Sequence, residues 1–221
     1  SREEIISLTR DSVNFLLSKD VKIIIFGCNT ATAVAMSTIQ IEIPLQIIGV
    51  VQSGALAAAR TTETKNVAVI GTKATVDSHS YLKEIQYRDP EIKVSEFAQP
   101  KLAPLAEEDP DEDIKNAVVS ESLTPLKNAD YDTLVLGCTH YPLLREEIVA
   151  VVGQDKKIVD PADQVAQYTY NVLRRDDLFA ESTAPVKHDY YTTGEAKKFT
   201  EITRQWMNDD TIIGHHVDAE D

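Results

Sequence analysis

Near the start of the chain Ile5, Ile6, Thr9, Val13, Leu16 and Leu17 recur at helical spacing, and Ser1 followed by Glu4 reads as a capping box. At Val21 the period changes. Val21–Phe26 is a short, β-branched apolar run that ends at Gly27, the pattern of a buried parallel strand. Comparable runs follow at Gln46–Val51, Asn66–Ile70, Ile92–Phe97, Asp132–Leu136 and Lys157–Val159, with weaker ones at Asp189–Thr192 and Thr211–Val217. Helix-length segments separate them: Ala31–Gln40, Ser53–Thr62, Val76–Arg88, Asp111–Lys127, Leu143–Val152, Ala162–Arg175 and Glu195–Asn208. Strands alternating with helices predict an α/β fold with mostly parallel sheets. So many strands exceed what one compact sheet of this length needs, so two domains are expected. Pro100–Asp113 is acidic and carries Pro100, Pro104 and Pro110, which reads as a solvated loop.

The pattern contains an echo of itself. Val21–Thr32 reads VKIIIFGCNTAT and Tyr131–Pro142 reads YDTLVLGCTHYP. Each is an apolar strand, then Gly-Cys, then small polar residues, then a predicted helix. Cys28 and Cys138, the two cysteines of the protein, therefore fall at the carboxyl ends of two parallel strands. Open α/β sheets place their ligand crevice there.

Composition narrows the classes. The chain has 221 residues, 43% of them hydrophobic and 26% charged, a globular balance. With 22 Lys and Arg against 36 Asp and Glu, the formal net charge is −14. That charge opposes a nucleic-acid partner, which needs a basic surface to release counterions. An anionic ligand would need local backbone N–H groups or hydroxyls to overcome the overall charge. No apolar run approaches the ~18–20 residues of a membrane span, no signal-peptide pattern opens the chain, and two cysteines make no disulfide framework. The expectation is a cytoplasmic protein with reduced thiols and no membrane partner.

A cysteine beside a strand is most often a small core residue. That reading weakens for a pair that follows glycine at equivalent strand ends. Cys28, Cys138 and His140 could supply three zinc ligands, but their spacing matches no common zinc site. G-x-S-x-G, C-x-x-C, G-x-G-x-x-G and P-loop patterns are all absent, so no cofactor is expected. Two thiols across a cleft suit the inversion of a stereocentre. One thiolate removes a proton from one face while the opposite thiol delivers one to the other. Both cysteines are expected to precede helix starts, whose dipoles would ease thiolate formation. The developing enediolate needs donors, and Asn29, Thr30, Thr139 and nearby backbone N–H groups qualify. His140 is a proton partner for Cys138, a holder of a substrate carboxylate, or a structural histidine.

At these residues the chain resembles a known family. Gly27-Cys28-Asn29-Thr30-Ala31-Thr32-Ala33 and Leu136-Gly137-Cys138-Thr139-His140-Tyr141-Pro142-Leu143-Leu144 are similar to the two signature motifs of bacterial glutamate racemases. The histidine after Cys-Thr resembles glutamate rather than aspartate racemases. Val69-Ile70-Gly71-Thr72 through Thr75, Pro104-Leu105-Ala106-Glu107, Val159-Asp160-Pro161-Ala162 and Tyr191-Thr192-Thr193-Gly194 extend the likeness along the chain. The resemblance implies an isomerase that supplies D-glutamate for peptidoglycan, with Cys28 the base toward D-glutamate and Cys138 the base toward L-glutamate. His140 would join the catalytic set. Asn29, Thr30, Thr72, Thr75 and Thr139 would line the glutamate site, with Glu107 beside it. It also implies two pseudo-symmetric α/β domains with the site between them: residues 1–51 with 160–221, and residues 52–159. Family members are often dimers, so a homodimer is the implied assembly. The family opens with a strand and Asp-Ser-Gly and Pro-Tyr-Gly segments that have no counterpart here, so an opening β/α unit is expected ahead of Ser1. The competing expectations are a racemase of aspartate or another small carboxylate, and a form that binds ligand without turnover.

Overall fold

The structure, a computed structural model, describes residues 1–181, 183 and 185–218. It opens with α1 (Arg2–Leu17), capped as the sequence predicts: the Ser1 hydroxyl accepts from the Glu4 N–H at 3.1 Å, and the Glu4 carboxylate reaches back to the Ser1 nitrogen. There follow β1 (Ile24–Phe26), α2 (Asn29–Val34), α3 (Met36–Ile39), β2 (Ile47–Gly49) and α4 (Val50–Thr61). The central stretch holds β3 (Asn66–Gly71), α5 (Lys73–Ser78), α6 (Ser80–Arg88), β4 (Lys93–Ala98), α7 (Leu102–Glu108), α8 (Glu112–Ser122), β5 (Thr133–Gly137), α9 (Arg145–Val152) and β6 (Lys157–Val159). After it come α10 (Pro161–Arg175), β7 (Tyr190–Thr192), α11 (Ala196–Met207) and β8 (Gly214–His216).

All strand pairs among the described residues are parallel. The larger sheet has the order β4-β3-β5-β6, while β1-β2 and β7-β8 form separate pairs. Side chains alternate across a strand, so each central strand feeds two cores. Ala68, Ile70, Leu134 and Leu136 face a cluster with Leu102, Leu105, Val119 and Ile148 from α7, α8 and α9. Val67, Val69 and Val135 face the other way, onto Val51, Ala55 and Ala58 of α4 and Tyr81 and Ile85 of α6. A third cluster joins Val13 of α1, Ile24 and Phe26 of β1, Ala35 and Ile39 around α3, and Ile47 of β2.

Three sequence expectations are corrected. The loop expected at Pro100–Asp113 contains α7, because Leu102, Leu105 and Ala106 form a buried stripe at helical spacing. Pro104 sits in the first turn, where a backbone N–H has no intrahelical partner to lose. The strand expected through Val51 ends at Gly49, and Val50 and Val51 already belong to α4. The helix expected over Val76–Arg88 is broken at His79, which adopts a left-handed φ of 53° between α5 and α6.

At the opposite end of the larger sheet from its ligand side, the Asp132 carboxylate ties the loop after α4 to the start of β5. It accepts from the Thr62 hydroxyl at 2.7 Å, the Glu63 N–H at 2.6 Å, the Thr64 N–H at 2.8 Å and the Thr133 hydroxyl at 2.8 Å. Burial alone would raise this carboxyl, but the four bonds hold it well below the usual carboxylate range.

Candidate active site

Register decides which residues meet. Gly71 and Gly137 are directly paired at the ends of β3 and β5, so Thr72 and Cys138 leave the sheet side by side. The backbones approach closely there. A Cβ on Gly137 would stand 2.7 Å from the Ile70 carbonyl oxygen and 3.2 Å from the Tyr81 ring, so glycine is required before this cysteine. Gly27 is different: a Cβ there meets nothing within 4 Å. The two Gly-Cys steps look alike in sequence but only one is enforced by packing.

Cys28 is the extended N-cap residue of α2 and is exposed. Its carbonyl accepts from the Thr32 N–H at 3.0 Å and the Thr32 hydroxyl at 2.9 Å, which fixes the turn from strand to helix. Two residues on, the Thr30 hydroxyl lies 2.8 Å from that of Thr72 and 3.3 Å from that of Thr75, and Thr72 and Thr75 are 3.0 Å apart. Three hydroxyls from two cysteine-linked segments thus close a triangle. Thr72 also caps α5, its oxygen accepting from the Thr75 N–H. Ser80 adds a bond in the same direction, donating to the Ala33 carbonyl at 3.1 Å.

Cys138 is buried, with 7% of its surface exposed. Burial pushes its thiol up. The His140 and Tyr141 N–H groups pull it down, charge on Cys28 and Glu107 pushes it further up, and the balance stays above the ordinary thiol value. The charge of one thiol is thus felt by the other. The structure corrects the expectation of a thiolate-favouring helix start at both sites. Cys28 caps an α-helix, whereas Cys138 enters a turn and a short 3₁₀ segment, Tyr141–Leu144, before α9 begins. Both cysteines are free thiols.

His140 joins two groups. Its Nδ1 lies 3.8 Å from Cys138 Sγ, and its Nε2 lies 3.0 Å from Glu107 Oε1 on α7. The Trp206 ring of α11 meets the His140 ring edge-on, with centroids 5.4 Å apart. Gln205 donates to Asp109 at 2.8 Å beside it, so the end of α11 is seated against this side of the site. Thr139 is exposed and has no side-chain hydrogen bond among the described residues. Of the residues singled out in the sequence, Cys28, Asn29, Thr30, Thr72, Thr75, Cys138, His140 and Glu107 converge, while Thr139 stands outside the contacts that join them.

Tyr81 was not singled out by its sequence. It is fully buried, and its hydroxyl donates to Asn29 Oδ1 at 2.7 Å. Its only signal is a place with Ile85 on the buried stripe of α6, which every core residue shares. Among the described residues no three His, Cys, Asp or Glu side chains are arranged to hold a metal ion. A cavity of about 480 Å³ between α4 and α10, and another of about 550 Å³ between α1 and β7, lie away from both thiols. No helix among the described residues is long and apolar enough to cross a membrane.

The chain is similar to known proteins along its whole length. Residues 7–169 match the family model described as Asp/Glu/Hydantoin racemase. A glutamate racemase of Lactobacillus johnsonii is 97% identical over 221 residues, covering all of this chain and 83% of that protein. The crystal structure of a glutamate racemase isoform from Bacillus anthracis superposes with a TM-score of 0.94 at 34% identity, over 100% of this chain and 82% of that one. A Francisella tularensis glutamate racemase in complex with D-glutamate gives a TM-score of 0.91 at 27% identity, over 100% and 82%.

Proposed function

The chain belongs to the Asp/Glu/hydantoin racemase family, and from that premise we propose that it interconverts L- and D-glutamate by proton transfer between Cys28 and Cys138. It is a cofactor-independent amino-acid racemase of the kind that serves peptidoglycan synthesis. From L-glutamate, the Cys28 thiolate takes the α-hydrogen as a proton, and the electron pair it leaves spreads into the carboxylate as an enediolate. The Cys138 S–H then donates its proton to the opposite face of the same carbon. The cycle ends with Cys28 as thiol and Cys138 as thiolate, and the reverse reaction begins from that state. The raised Cys138 pKa suits its role as acid in the first direction.

His140 assists when Cys138 must lose its proton, since Nδ1 faces the sulfur and Glu107 steadies the ring from the other side. Asn29, Thr30, Thr72, Thr75 and Thr139 supply donors to the carboxylates of glutamate, which offset the negative charge of the chain as a whole. The same reading divides the chain into residues 1–51 with 160–221 and residues 52–159, with glutamate between them. A cytoplasmic homodimer belongs to it, the two free thiols favouring a reducing compartment.

The observation that carries the reading is the pair of free thiols, Cys28 and Cys138, one following each glycine at the carboxyl end of a parallel strand. Polarimetry on L-glutamate tests it. The rotation should decay to zero with the native chain and persist with Cys28→Ser. Near-native turnover by the serine variant would overturn the two-thiol mechanism.

A further inference from the structure

We propose that Tyr81 is a positioning residue that holds the Asn29 side-chain amide with its nitrogen facing the substrate, making Asn29 a donor to the glutamate α-carboxylate. The inference rests on the racemase reading above.

An amide side chain has one accepting and one donating end of nearly the same shape, so its orientation is set by hydrogen bonds alone. Asn29 follows Cys28 directly and is only 3% exposed. Its oxygen is engaged by the Tyr81 hydroxyl at 2.7 Å. Its nitrogen donates to nothing among the described residues and keeps access to solvent. The free end of the amide is therefore the donor end. Reversing the amide would turn a second set of protons toward the phenol and leave the phenolic proton without an acceptor among the described residues. Inside the protein such an orphaned donor is costly. Burial, with Asp160 and Cys138 nearby, also pushes the phenol pKa up and keeps its proton in place.

The position of Tyr81 is itself held. Its ring lies against Gly137, the residue before Cys138, and its hydroxyl fills the space a Cβ on Gly54 would take, 2.9 Å away. One buried side chain thus touches a sequence neighbour of each cysteine, bonded to Asn29 on one side and packed on Gly137 on the other. Asn29 and Thr30 would meet the substrate carboxylate together, and Tyr81 would decide whether Asn29 meets it with N–H or with C=O. A carbonyl turned to a carboxylate repels it.

Steady-state kinetics and glutamate-binding calorimetry on Tyr81→Phe, Asn29→Ala and the double variant test this. Phenylalanine keeps the ring and its packing. Tyr81→Phe should raise KM and Kd about tenfold, the effect of one well-placed hydrogen bond, while kcat changes less than about threefold. The double variant should be no worse than Asn29→Ala, because Tyr81 acts only through Asn29. An unchanged KM in Tyr81→Phe, or effects that multiply in the double variant, would overturn the proposal. Should Tyr81→Phe fold poorly, Asn29→Asp decides the matter. It keeps an acceptor for Tyr81 but has no donor, so it should bind glutamate at least tenfold more weakly, and native affinity would overturn the proposal. A native chain that neither binds nor racemises glutamate sinks the racemase reading itself. The positioning role fails separately, when the native chain is active and Tyr81→Phe or Asn29→Asp matches it.

Discussion

The Thr30 hydroxyl lies 2.8 Å from the Thr72 hydroxyl, and this contact joins the segment after Cys28 to the strand end beside Cys138. Thr72 also caps α5 through the Thr75 N–H. The two threonines should therefore respond differently to removal. Thr72→Val should cost about 1 kcal/mol of stability as a lost cap, and Thr30→Val less, with glutamate turnover reduced in both. Urea unfolding beside a racemisation assay separates the two effects. Equal stability losses would remove the capping role.

Cys138→Ser should suppress racemisation by roughly 10²–10⁴-fold, the weight of one acid–base group. It should leave Cys28 able to exchange the α-hydrogen of L-glutamate with heavy water without inversion. Proton NMR of recovered L-glutamate reads the exchange. Exchange of D-glutamate instead would reverse the assigned roles.

Alkylation should distinguish the thiols. Thiolate, not thiol, attacks iodoacetamide. Burial raises the Cys138 pKa, so near neutral pH it stays protonated and reacts slowly, whereas Cys28 is exposed. Mass spectrometry at short times should find the label on Cys28. Labelling of Cys138 should accelerate as pH rises past the ordinary thiol range, and a faster rate at Cys138 near neutrality would contradict its burial.

Asp132 should set part of the acid limit. Its folded pKa is depressed, so its contribution is complete above the unfolded carboxyl value of about 3.9 and fades as pH falls below it toward the folded value. Asp132→Asn should lose about 2–3 kcal/mol near neutral pH and flatten the fall in stability through that acid range. Thermal melts across pH test this, and a parallel shift of the whole curve without flattening would be the contrary result.

Trp206 is the one tryptophan of the chain and lies edge-on to His140. The contact makes the indole a reporter of this side of the site, so His140→Gln should change the intensity or wavelength of its emission. An unchanged spectrum would mean that the two rings do not meet.

The sequence is most legible where one physical signal dominates. The apolar runs of β3 and β5 are buried on both faces and leave little room for another reading. The Gly-Cys echo locates both thiols because strand ends carry that punctuation. Legibility fails where tertiary packing overrides local signals. Prolines and acids mark Pro100–Asp113 as loop, yet Leu102, Leu105 and Ala106 find a core to enter. His79 breaks a helix without glycine or proline to announce it. Tyr81 is hidden for the opposite reason: it obeys the core pattern fully, and the bond that distinguishes it crosses to Asn29, 52 positions away. The environments of the two cysteines are equally silent in a motif that looks symmetric.

That asymmetry has an isotopic consequence. On the assigned roles, a hydrogen lifted by Cys28 sits on a sulfur open to water and is quickly exchanged, while one lifted by Cys138 sits on a sulfur with 7% of its residue's surface exposed. In heavy water, D-glutamate should then regain its own hydrogen through internal return more often than L-glutamate does. The two faces of one carbon keep different records of the hydrogens they have carried.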